Sequence, residues 1–80
     1  MSFEHISNYL IRVDKLLAVE RWPGEDEGDA KWVLKFDGGT LVKLWEYPDP
    51  DSFKAFGEWL NSHPQWNELN VTEVEIPEEK

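Results

Sequence analysis

Apolar and polar residues alternate most regularly between positions 31 and 47, and this pattern predicts a β-hairpin. A two-residue loop at Gly38-Gly39 would place Lys43 among the apolar side chains of one face. A three-residue loop over 37–39 instead leaves that face without a charge, formed by Trp32, Leu34, Phe36, Thr40, Val42 and Leu44. Because a shift of one residue moves every side chain to the other face, burial favours the three-residue loop. Such a loop predicts positive φ at Gly39 and a right-handed conformation at Gly38.

The opposite face of this hairpin carries the candidate binding residues, which are Lys31, Val33, Lys35, Leu41, Lys43 and Trp45. Three of the chain's 8 basic residues thus surround one tryptophan in a protein of net charge −9. Aromatic residues among polar neighbours are typical of interface anchors, so this face is a candidate partner-binding surface. The simpler interpretation is that the lysines are solvated and that Trp45 packs against a neighbouring strand.

A helix is predicted after the hairpin. Asp49 suits the N-cap, Pro50 suits the first helical position, and Pro64 ends the helix at about Asn61 or Ser62. An apolar stripe along this helix is formed by Phe53, Phe56, Gly57 and Leu60. We expect this stripe to pack on the uncharged face of the hairpin. Gly57 within the stripe predicts a close approach between the helix and the sheet.

The remaining segments predict a small sheet around the hairpin. Residues 16–22 form a strand with Leu17 and Val19 on one face. Pro23-Gly24 ends this strand, and the acidic loop 25–29 joins it to the hairpin in an antiparallel meander. Residues 64–69 add one helical turn, whose Trp66 and Leu69 would cap the core. The alternating segment 71–76 is an edge strand, with Val74 and Ile76 facing inward. The first ten residues suit a short helix, although an extended conformation from Tyr9 to Val13 fits almost as well.

Together these elements predict an α+β fold, in which an antiparallel sheet of three to four strands carries one helix, from the C-terminal half, on one face. Eighty residues are the size of a single domain, spanning positions 1–80.

Composition limits the chemistry that the chain can perform. With 17 acidic against 8 basic residues, we do not expect general binding to nucleic acid. The absence of cysteine excludes disulfides, thiolate zinc sites and thiol catalysis. Of the two histidines, His63 lies where it would complement the carbonyls at a helix end, and His5 has no partner for a catalytic triad. The carboxylates of 25–29 do not follow the spacing of a calcium loop. We therefore predict no enzyme, metal, cofactor or small-molecule ligand.

The cytoplasm is the predicted location, because the first residues lack a secretory signal and the longest apolar run is Leu16 to Val19. A membrane partner is not expected. The leading functional hypothesis is a protein-interaction module or homodimer that uses the sheet face opposite the helix. An alternative is an acidic inhibitor of the phage type, which would imitate nucleic acid with clustered carboxylates. A third hypothesis is single-strand or nucleotide binding by base stacking on Trp45.

Overall fold

The structure is a computed structural model that describes residues 3–7, 9–24, 29–47 and 49–74. These residues form six strands and two helices. The strands are β1 (Phe3–Ile6), β2 (Tyr9–Arg12), β3 (Leu16–Trp22), β4 (Lys31–Phe36), β5 (Leu41–Trp45) and β6 (Val71–Glu73). The helices are α1 (Pro50–Asn61) and α2 (Pro64–Asn70), and a short 3₁₀ turn spans Val13–Lys15. The fold class is α+β, as predicted, but it contains two sheets and two helices where one of each was expected.

The main sheet has four strands in the order β5-β4-β3-β6. The meander of β3, β4 and β5 is antiparallel, as predicted. Strand β6, however, pairs with β3 in the parallel direction, so the prediction of a purely antiparallel sheet was wrong. Parallel neighbours need a crossover connection, and α1 and α2 lie in the part of the chain that connects β5 to β6.

The β4–β5 hairpin has the predicted register, with Trp32 opposite Leu44 and Leu34 opposite Val42. The loop conformation differs at one residue. Both glycines have positive φ, 94° at Gly38 and 90° at Gly39, so the expected right-handed Gly38 was wrong. The Gly39 N–H donates to the Phe36 carbonyl at 3.1 Å, which closes a turn with Gly38 at its third position. Type II turns require positive φ at that position.

Helix α1 begins and ends as predicted. The Asp49 side chain accepts a hydrogen bond from the Ser52 N–H at 3.3 Å, which satisfies one free donor of the first turn. Phe56 and Leu60 are buried, and Phe53 packs beside them. They join the buried residues of both sheets in one core, formed by Ile6, Ile11, Leu16, Val19, Trp32, Leu34, Leu44, Phe56 and Leu60.

The N-terminal segment is a two-stranded hairpin, so the predicted helix over the first ten residues was wrong, whereas the extended alternative from Tyr9 is confirmed as far as Arg12. Strands β1 and β2 pair antiparallel, with Ile6 opposite Tyr9. This pairing places Ile6 and Ile11 in the core and leaves Phe3 and Leu10 exposed. The pairs Ile6–Tyr9 and Glu4–Ile11 place both isoleucines on one face of the hairpin, whereas residues five apart on a helix point about 140° away from each other.

Strand β3 contains an irregularity that the alternation did not reveal. The register with β4 shifts between Leu16 and Ala18, so Leu17 is the extra residue of a β-bulge. Leu16 and Val19 therefore both face the core, whereas Leu17 is 57% exposed. The prediction that Leu17 and Val19 lie on one face was wrong for this reason.

The C-terminal elements also differ from expectation. Helix α2 has two turns, Trp66 packs against the core, and Leu69 is 76% exposed, so the expected capping role of Leu69 was wrong. Strand β6 ends at Glu73, and Val74, the next residue, is half-buried. The predicted inward position of Ile76 lies outside the described residues, as does most of the acidic loop at 25–28.

Replacing Phe56 with alanine tests the packing of α1 on the sheet. Phe56 is fully buried and contacts the ring of Trp32, with centroids 5.4 Å apart. The cavity and the lost burial should reduce the free energy of unfolding by about 3–5 kcal/mol, measured by chemical denaturation. Phe3→Ala, which truncates a phenylalanine with a 45% exposed side chain, is the control and should cost much less. An unchanged melt for Phe56→Ala would contradict the placement of the helix.

Alanine at either Gly38 or Gly39 should destabilise the hairpin to a similar extent. A new Cβ would meet no atom within 4 Å at either position, so the cost is conformational alone. Left-handed backbone costs an L-residue about 1–2 kcal/mol, and Gly39→Val should cost more because its side chain is β-branched. Thermal melts of the glycine variants measure this loss. Asp37→Ala is the control, because the backbone φ of Asp37 is not positive. A loss at Gly39 alone would indicate the right-handed Gly38 that was first expected.

Candidate functional site

The sheet face opposite α1 is the candidate site, and we call it the open face. Its residues are Ala18, Glu20, Trp22, Lys31, Val33, Lys35, Leu41, Lys43 and Trp45. Helix α1 and the β1–β2 hairpin both bury their apolar residues in the core on the other side, with Leu34 and Leu44. None of the open-face residues belongs to that core cluster. Within the described residues, all the packing helices and the second sheet therefore serve one face of the main sheet.

A row of Trp22, Lys31 and Trp45 crosses three strands at one end of the open face. Lys31 pairs with Trp22 on β3 and with Trp45 on β5. Its Nζ atom lies 4.9 Å from the centroid of the Trp22 ring and 4.5 Å from that of Trp45. Cation–π contacts of this kind contribute about 0.5–1 kcal/mol each at exposed sites. The ammonium thus holds the two indole rings in place on either side of it.

Glu20 connects this row to the next lysine. Its carboxylate accepts a hydrogen bond from Trp22 Nε1 at 3.0 Å and lies 2.7 Å from the Nζ atom of Lys35. The bond with Lys35, and then the bond from Trp22, hold the pKa of Glu20 below its ordinary value. The carboxylate therefore orients one tryptophan and neutralises one of the three lysines of this face.

Lys43 and Leu41 lie on the outermost strand. Leu41 is 54% exposed and Trp45 is 40% exposed, which places apolar surface on both sides of Lys43 along β5. Lys43 is exposed and forms no ion pair with any of the residues that the structure describes. Lys35 is paired with Glu20, and Lys31 is half-buried between two indole rings, so Lys43 is the lysine of the open face whose charge is most accessible to a partner.

The structure brings all six predicted site residues to one face, but their roles differ. Val33 is only 5% exposed although it lies outside the core cluster, so it offers little surface to a partner. In the cross-strand row it lies between Glu20 and Lys43. Val33 is thus a buried residue of the open face, whereas Leu41, Lys43 and Trp45 form its accessible part.

The sequence interpretation did not include Trp22 and Glu20 in the site. The alternation of β3 already places both on one face, but their partners on β4 depend on the register across the loop 23–30. A signal was present, because Trp22 is the last residue before Pro23-Gly24 and Lys31 is the first of the next apolar segment. Pairing the two ends of that loop would have placed Trp22 beside Lys31.

Other side chains of the described region are less suited to chemistry. His63 Nδ1 donates to the Trp59 carbonyl at 2.9 Å, as expected for a histidine at a helix end, and its ring stacks on Trp59. An open groove of about 530 Å³ beside α1 carries charges of both signs, from Arg21, Glu46, Lys54, Glu58 and Glu73. Among the described residues no three His, Cys, Asp or Glu side chains are grouped to hold a metal ion. In the same part of the chain, neither helix has the length and apolar character needed to cross a membrane.

The Glu20–Lys35 pair predicts a small dependence of stability on pH. A carboxylate whose pKa is lower in the folded state adds stability above its unfolded pKa, about 4.3, and loses it as pH falls through the folded value. The free energy of unfolding of wild type should therefore exceed that of Glu20→Gln by about 0.2–1 kcal/mol near neutral pH, the range for ion pairs at a protein surface. The difference should vanish in acid. Urea denaturation over this pH range, in a cycle with Lys35→Gln, measures the coupling, and a coupling that persists in acid would contradict the assignment.

Comparisons with known proteins were made for the whole chain. No protein-family model, no curated protein and no solved structure matches it. Function is therefore inferred from the residues of the open face.

Proposed function

We propose that this chain is a cytoplasmic protein-binding module, without catalytic activity, whose contact surface is the open face. The observation that carries the proposal is the row of Trp22, Lys31 and Trp45, in which one ammonium contacts two indole rings on a sheet face that no described helix covers. Tryptophan is enriched at the energetic centres of protein interfaces.

The order of this row favours binding because it reduces the entropy that association would cost. Each immobilised side chain at an interface costs about 0.5–1.5 kcal/mol if it is free beforehand. Trp22 is already held by Glu20 and Lys31, and Trp45 is held by Lys31. Val33 fills the space beneath, so a partner would meet a formed surface. These contacts support a rigid anchor more than a solvated sheet face.

Imitation of nucleic acid has less support. It requires carboxylates along one continuous face, whereas the described ones are spread over both ends of the sheet, with Asp37 at one and Asp49 at the other. Glu20 and Glu73 are also neutralised by Lys35 and Arg21. Base stacking on the open face is disfavoured as well, because Lys31 already lies over both indole rings.

Truncating Trp45 tests the proposed surface. Trp45→Ala should abolish binding of a protein captured from a host lysate, or the self-association of the chain, while the Tm falls only slightly. The reason is that Trp45 lies outside the core cluster, so its removal takes interface area and leaves the core intact. Affinity capture with mass spectrometry, light scattering and thermal melts measure the three properties.

Leu69→Ala is the matched control for this experiment. Leu69 is 76% exposed on α2, away from the open face, and its truncation should change neither binding nor stability appreciably. If wild type captures no protein and is monomeric, or if Trp45→Ala unfolds the chain, the proposed interface is wrong. Trp45 would then be a structural residue of the sheet.

A further inference from the structure

We infer that the partner binds as an extended acidic segment, which adds a strand to the free edge of β5. The inference rests on the proposed function and specifies how the open face would be used. Strand addition to an exposed edge is a recurring mode of peptide recognition, in which main-chain hydrogen bonds supply affinity and alternate side chains supply specificity.

The backbone of β5 offers unpaired groups at three alternate residues. The Phe36 N–H donates to the Thr40 carbonyl at 2.9 Å, and the Glu46 N–H donates to the Ala30 carbonyl at 2.8 Å. In an antiparallel pair, residues bonded to the neighbouring strand alternate with residues whose N–H and C=O point away. The even-numbered residues from Thr40 to Glu46 therefore face β4. The N–H and C=O groups that point to the free edge belong to Leu41, Lys43 and Trp45.

The same three residues carry the accessible side chains of the open face. A strand paired with them would place every second side chain beside Leu41, Lys43 or Trp45, since residues directly opposite in a sheet share a face. β5 is the outermost strand of the main sheet, and no described element pairs with its free edge. Backbone recognition and side-chain recognition thus coincide on one five-residue strand.

The charge of Lys43 selects the kind of strand. It lies at the centre of the edge, between two exposed apolar residues, and has no ion-pair partner among the described residues. The complementary segment carries Asp or Glu opposite Lys43 and apolar residues two positions to either side. Lys31, further into the open face, adds positive charge behind it, whereas the charge of Lys35 is neutralised by Glu20.

A second copy of this chain fits the edge less well. Antiparallel pairing of two β5 strands centred on Lys43 would place like charges directly opposite, which is destabilising. The other edge of the sheet, β6, is only three residues long and offers a short template. A lysine at a strand edge commonly discourages self-pairing, and it favours a partner of opposite charge. The occupant is therefore a segment of a different protein.

The experiment uses a phage-displayed library of short random peptides, selected on the full chain. The expected result is enrichment of sequences with Asp or Glu flanked by apolar residues two positions away. Lys43→Glu should weaken the selected peptides about tenfold, because it reverses the charge opposite the acidic residue. Lys54→Glu makes the same change of charge on the exposed side of α1 and should leave their affinity unchanged.

Two further variants separate the backbone from the charge. Lys43→Ala removes the ammonium and keeps the edge N–H, whereas Lys43→Pro removes both. Proline is tolerated on an edge strand where its nitrogen faces solvent. Lys43→Pro should therefore fold, yet bind the selected peptides about tenfold more weakly than Lys43→Ala. Amide hydrogen exchange of wild type provides a second measurement, in which bound peptide should protect the N–H groups of Leu41, Lys43 and Trp45.

Each outcome either supports or overturns strand addition. Absence of enrichment, enrichment without acidic residues, or unprotected edge amides in the complex would overturn it. Equal binding by folded Lys43→Ala and Lys43→Pro would do the same, as would self-association that excludes the peptides. In those cases the proposed function still stands if Trp45→Ala abolishes capture of the protein partner, because that result requires only the open face. If strand addition fails and Trp45→Ala also leaves capture of the partner unchanged, both proposals are wrong.

Discussion

The contact between Trp32 and helix α1 is the interaction on which the rest of the structure depends. Trp32 Nε1 donates to the Phe53 carbonyl at 3.1 Å, and its ring packs against the rings of Phe53 and Phe56. A Cβ on Gly57 would lie 3.7 Å from the same indole, so the backbone of α1 passes close to it. One side chain at the middle of the sheet thus contacts α1 with both its polar and its apolar groups. This contact determines which face of the sheet is covered.

Because α1 covers only one face of the main sheet, the tryptophans divide between a buried group and an open-face group. Trp32, Trp59 and Trp66 pack in or against the core, with Phe56 stacked on Trp59. The other two tryptophans lie on the open face, outside that core. A chain of this size buries only about 60% of its unfolded surface, so large side chains on the covered side are needed for stability. The two on the other side stabilise one another through Lys31, and this arrangement is the basis of the proposed binding surface.

The sequence by itself determined the features that depend on neighbouring residues. The uncharged face of residues 32–44 selected the register of the β4–β5 hairpin, because the register of a two-residue loop would bury Lys43. Asp49 and Pro50 specified the start of α1, and its apolar stripe specified the packed side. The six predicted site residues lie together for the same reason, since they alternate along two strands whose pairing follows from a three-residue loop.

Only the tertiary structure decided the features that depend on distant residues. The parallel direction of β6 follows from the path of α1 and α2, and the bulge at Leu17 follows from the need to bury both Leu16 and Val19. The N-terminal hairpin forms because Ile6 and Ile11 find a shared core that neither finds locally. Trp22 joins Lys31 and Trp45 only through the register across a loop. Local patterns specify which faces are apolar, whereas burial against segments far along the chain decides which of those faces meet.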